Sequence, residues 1–64
     1  MRLSRTKKGI RVRMETAVGG YDVYYKFPGT KEEYDGRQNG SLEAALDYLE
    51  VLLERLIMGE KGNQ

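Results

Sequence analysis

Sixty-four residues with a formal net charge of +1 make one small domain, of a size that buries only about 60% of its unfolded surface. The chain has no cysteine and no histidine, so disulfides, thiolate zinc sites, the commonest metal ligand and the usual acid–base group near neutral pH are all missing. A non-enzymatic protein is expected, with no cofactor, no metal and no small-molecule substrate.

The unbroken apolar runs reach three residues at most, which predicts no membrane span, and the N-terminus lacks the apolar stretch of a secretory signal. A cytoplasmic protein is expected, without a membrane partner. A core this small supplies roughly 3–5 kcal/mol, and small domains usually add a disulfide, a metal or a second chain. Only the second chain remains.

Residues 1–13 carry six bases (Arg2, Arg5, Lys7, Lys8, Arg11, Arg13) and no acid, whereas the rest carries five bases and ten acids. The chain therefore divides into a basic start and an acidic body. Residues 1–9 are polar and aperiodic and read as a flexible basic arm.

From Ile10 onward the pattern changes. Ile10, Val12, Met14, Thr16 and Val18 fall on even positions, and Tyr21, Val23, Tyr25 and Phe27 on odd ones, with Gly19-Gly20 between. Period-2 alternation around two glycines predicts a β-hairpin. With both glycines in the turn, Val18 faces Tyr21, Met14 faces Tyr25 and Val12 faces Phe27. The other face then sets Arg13 opposite Lys26, a like-charge pair that destabilises a sheet by some tenths of a kcal/mol.

Pro28-Gly29 signals a second turn, and residues 31–38 read as a short edge strand, weak in propensity and bulged near Gly36. Pairing Lys26 with Glu33, Tyr25 with Tyr34 and Asp22 with Arg37 neutralises the Arg13–Lys26 clash. The register two residues away sets Lys26 against Lys31 and Asp22 against Asp35.

Ser41 is a good N-cap and Gly59 a natural stop, which frames a helix of about 17 residues. Leu42, Leu46, Leu49, Leu53 and Leu56 form its expected sheet-facing stripe. A second apolar set, Ala44, Tyr48, Val51, Leu52 and Met58, lies beside it, so the helix is apolar over roughly twice the usual arc. A three-stranded sheet covers one side only, and a homodimer through that second set is expected. The expected whole is an α+β fold: a basic arm over 1–9, a single ββ(β)α domain over 10–59 whose antiparallel three-stranded sheet packs on one C-terminal helix, and a frayed tail over 60–64.

Two surfaces offer binding. Glu43, Asp47, Glu50 and Glu54, spaced 4, 3 and 4, project from one helical ridge and set like charges at i,i+4 with no interleaved lysine. This ridge, with the sheet edge, suits docking on a basic protein surface, including a groove meant for nucleic acid, as a phage-type inhibitor or regulator would. The alternative is nucleic acid, bound by Arg5, Lys7 and Lys8 of the arm and by Arg11, Arg13, Tyr24 and Lys26 on the outer face of the hairpin. In element order, residues 10–56 resemble the small DNA-binding domains at the N-termini of phage integrases, whose sheet enters the major groove. That resemblance implies a basic sheet surface, from which the acidic third strand and helix depart.

Overall fold

The computed structural model describes residues 2–59, so the expected frayed tail lies outside the described residues. Four strands, β1 (Arg2–Lys7), β2 (Ile10–Ala17), β3 (Gly20–Lys26) and β4 (Glu33–Gln38), precede one helix, α1 (Leu42–Ile57). They form an antiparallel meander in the order β1-β2-β3-β4, with α1 packed across β2 and β1. The class is α+β, as the patterning indicates. No helix among the described residues is long and apolar enough to cross a membrane.

The basic arm is the largest correction. Residues 2–7 are an edge strand that pairs with β2 from Arg2↔Glu15 to Lys7↔Ile10. The connection is the two-residue turn Lys8-Gly9, both residues at positive φ (54° and 81°), the pattern of a type I′ hairpin turn. No apolar period announces β1, because its helix-facing positions are Leu3, Arg5 and Lys7. Leu3 packs against the core. Arg5 and Lys7 extend to helix carboxylates instead, at Arg5 Nη1–Glu50 Oε2 2.6 Å and Lys7 Nζ–Glu54 Oε2 3.9 Å. Lys8 holds a left-handed conformation that costs a side chain with a Cβ about 1–2 kcal/mol, whereas asparagine tolerates it. Lys8→Asn is therefore expected to raise the urea midpoint, by a stabilisation of about 1 kcal/mol; an unchanged or lower midpoint would contradict the turn assignment.

The β2–β3 register also differs from expectation. Val18 and Gly19, not the two glycines, are the central turn residues, and Ala17 faces Gly20. Of the central pair only Gly19 has positive φ (80°), as a type II turn requires. Gly20 belongs to β3 for a separate reason: a Cβ there would lie 2.3 Å from the Gln38 carbonyl oxygen. Val18 is consequently 91% exposed, and Thr16 is exposed as well. The slip is two residues, so the faces keep their identity: Met14 faces Val23 and Val12 faces Tyr25 on the helix side. Arg13 now faces Tyr24, and the like-charge pair becomes Arg11–Lys26.

On β4, Asp22 meets Arg37 as the charges require, and Tyr21 meets Gln38. Beyond Val23↔Gly36 the ladder slips by one residue, so that Tyr24 meets Tyr34 and Tyr25 meets Glu33, in place of the expected Tyr25–Tyr34 and Lys26–Glu33 pairs. Asp35 is the extra residue of this bulge, and Gly36 takes φ 141°. The bulge turns Asp35 toward α1, where its Oδ2 accepts a 2.6 Å hydrogen bond from the Tyr48 hydroxyl.

α1 starts at Ser41, whose Oγ accepts from the Ala44 N–H at 3.2 Å, and stops at Gly59 (φ 91°), whose N–H reaches the Leu56 carbonyl. Its buried stripe is Ala45, Leu49, Leu52, Leu53 and Leu56. Leu42 and Leu46 are instead 41% and 40% exposed. The helix is therefore rolled by about 40° from the expected face, at about 100° per residue. One pair on each flank goes with that roll: Tyr48 to Asp35 on β4, and Glu50 to Arg5 on β1. Ile10, Val12, Met14 and Val23 complete the core from the sheet.

Candidate functional site

One face of the sheet carries α1; the other carries no element of the described chain. The register sorts this open face into rows. Ser4, Arg13, Tyr24 and Tyr34 cross its middle, flanked by Thr6, Arg11 and Lys26 on one side and by Glu15, Asp22 and Arg37 on the other. The middle row is preorganised. The Arg13 guanidinium lies 4.3 Å from the Tyr24 ring centroid, and the Tyr24 and Tyr34 rings are tilted at 5.4 Å. Arg13 also donates a fork of 2.8 Å bonds to Glu32 and contacts Glu15. The Glu32 hydrogen bond raises the Arg13 pKa above its ordinary value against the opposing effect of desolvation, with Glu15 adding to the rise. Arg37 donates to Asp22 at 3.4 Å and to the Val18 carbonyl at 2.6 Å, tying β4 to the β2–β3 turn.

The second candidate surface is the solvent face of α1. Glu43, Asp47, Glu50 and Glu54 do share one ridge. Glu50 and Glu54 are met by Arg5 and Lys7, while no ion pair engages Glu43 or Asp47 among the described residues. The bases that sequence assigned to nucleic acid divide likewise. Arg5, Lys7 and Arg13 are in ion pairs; Lys8, Arg11 and Lys26 have none among the described residues. Tyr24 is stacked under Arg13.

The residues expected at a dimer interface are dispersed. Leu52 is fully buried in the core of its own subunit, and Tyr48 is half-buried with its hydroxyl committed to Asp35. Burial, followed by the Asp35 hydrogen bond, pushes the Tyr48 pKa up to about 12. Ala44 is half-buried, whereas Val51 (46%) and Met58 (73%) remain exposed. Part of the apolar circumference that called for a second chain is thus covered by the sheet once the helix rolls.

Exposed apolar residues mark what remains. Six large hydrophobic side chains are exposed among the described residues, Val18, Tyr34, Leu42, Leu46, Val51 and Met58; three of them are on α1 and Met58 is its C-cap. On the helical wheel Leu42 and Leu46 border the acidic ridge on one side, and Val51 and Met58 on the other. Sequence reasoning placed the leucines inside and so missed half of this border. The small α+β meander with an acid-ridged helix and a bare sheet face matches no family model, and no curated protein or solved structure is significantly similar to it.

Proposed function

We infer that this chain is a non-enzymatic protein-binding module that docks through the solvent face of α1 onto a basic partner surface with apolar walls. The observation that carries this reading is the apolar border on both sides of the acidic ridge. A face that serves only solubility does not need Leu42, Leu46, Val51 and Met58 exposed along a row of carboxylates, whereas a docking face does. Formal charge along the ridge, four acids against Arg5 and Lys7, stays at −2 after internal pairing. Those two pairs involve side chains from 47% to 64% exposed, and exposed pairs contribute about 0–1 kcal/mol, so a basic partner displaces them at little cost.

The test reverses charge where no internal pair is lost. The partner is first captured on the immobilised full chain and purified. Its affinity for Glu43→Lys with Asp47→Lys is then expected to fall at least about tenfold at low salt, the scale of one to two lost charge pairs. An affinity unmoved by the reversal would overturn the reading. Light scattering separates a foreign partner from a second copy on the same face. A monomer at high concentration supports the foreign partner; a dimer dissociated by Val51→Glu gives the face to a second copy and overturns it.

A further inference from the structure

The open sheet face leaves some of its cations without an ion pair among the described residues, and these gather at one end. In the middle and far rows, Arg13 and Arg37 each hold a carboxylate. In the near row Arg11 and Lys26 face each other across β2 and β3 with no ion pair to an acid among the described residues, although like charges so opposed destabilise a sheet. The nearby acids are turned elsewhere: both Glu32 oxygens accept from Arg13, and Glu33 Oε1 accepts from the Tyr25 hydroxyl at 3.5 Å. Lys8 in the β1–β2 turn and Lys31 in the β3–β4 loop are likewise without an ion pair among the described residues. These two connections lie side by side, since a Cβ on Gly9 would meet Pro28 Cγ at 2.9 Å. Four residues whose cations have no ion pair among the described residues, Lys8, Arg11, Lys26 and Lys31, therefore belong to one end of the sheet.

We propose that this end, with the Tyr24–Tyr34 row next to it, is a binding site for single-stranded nucleic acid, separate from the α1 docking face. Phosphate oxygens lie between Arg11 and Lys26 and remove a repulsion that no ion pair among the described residues offsets, the Lys26 Nζ otherwise donating to the Phe27 carbonyl at 3.4 Å. The tyrosine row is two residues further along the strands, about 7 Å away, within a nucleotide's reach from phosphate to base. Tyr34, 57% exposed, offers its ring to that base, while Arg13 already occupies one side of Tyr24. A duplex hides its base faces and gains nothing from Tyr34. An acidic peptide satisfies the cations equally but leaves the ring unused, so the aromatic row decides for a single strand.

The test measures fluorescence anisotropy of labelled dT12 and of a labelled oligoglutamate with the full chain from 20 to 200 mM salt. Binding of dT12 is expected with a log–log salt slope near −3, about −0.7 for each of four contacts. Arg11→Ala with Lys26→Ala is expected to flatten the slope by about 1.4 while keeping the circular dichroism and thermal midpoint of the parent. Tyr34→Ala is expected to weaken dT12 about tenfold and to leave oligoglutamate unaffected. Glu43→Lys with Asp47→Lys does not weaken dT12, which keeps this site distinguishable from the helix face. No dT12 binding at 20 mM salt overturns the proposal. So does oligoglutamate binding as tight as that of dT12, or a dT12 affinity indifferent to both the cation pair and Tyr34.

Discussion

Leu52→Ala is expected to remove most of the protein's stability at 25 °C, whereas Val51→Ala, one position earlier, is expected to change it by less than about 0.5 kcal/mol. Leu52 is fully buried between α1 and the sheet, and Val51 is 46% exposed. Truncating a buried leucine removes its transfer free energy and leaves a cavity, together about 2–5 kcal/mol. That approaches the roughly 3–5 kcal/mol a domain of this size supplies. Urea unfolding followed by circular dichroism measures both variants. Equal effects of the two would mean that α1 faces the sheet along a different line. A large Val51 effect that vanished on dilution would instead place Val51 at an interface between copies.

Tyr48→Phe is expected to destabilise by about 1–3 kcal/mol, although it removes a single oxygen atom. That oxygen donates the 2.6 Å bond to Asp35 Oδ2, and Asp35 Oδ1 is buried without a hydrogen-bond partner among the described residues. The variant leaves both carboxylate oxygens unbonded beside the core. Because the loss comes from stranding Asp35, Asp35→Val in the Tyr48→Phe background is expected to recover most of it, a coupling above about 0.5 kcal/mol in a double-mutant cycle. Additive losses would show that the bond contributes nothing of its own.

The same pair gives an alkaline signature. The unfolded chain releases the Tyr48 proton near the ordinary phenol value of about 10. The folded protein, mainly through burial and then through Asp35, holds it to about 12. Ionisation therefore favours the unfolded state between those values, so this contribution to stability is intact below pH 10 and disappears as pH rises toward 12. Wild type is expected to lose more of its urea midpoint over that interval than Tyr48→Phe does. Parallel curves would remove the raised pKa from the account.

Legibility differs element by element. α1 was readable because its cap, its stop and its leucine spacing are local signals, and local signals need no partner. The facing of β2 and β3 was readable for a related reason: alternation assigns each side chain to a face, and a two-residue slip leaves that assignment untouched. The register was not readable, because either placement keeps Val12, Met14 and Val23 on the inward face and the glycines alone did not separate them. Gly19 is needed for its positive φ and Gly20 for the approach of the Gln38 carbonyl, and the second need arises only once β4 is in place.

The acidic ridge was evident from its spacing and the basic start from its composition, but not that two bases of the start would pair with two acids of the ridge. Arg5 and Lys7 stand on the helix side of β1, where apolar residues normally advertise a strand, and their half-exposed side chains reach Glu50 and Glu54, more than forty residues away.

Sequence alone therefore determined the helix, the inward and outward faces of the hairpin, and the presence of opposite charges at the two ends of the chain, all of which follow from neighbours along the backbone. Tertiary structure decided the fourth strand, the roll of the helix, the bulge that aims Asp35 at Tyr48, and which cations and carboxylates stay unpaired. Those depend on distances between residues remote in the chain: a charge is spent or available only according to what folding brings within reach of it.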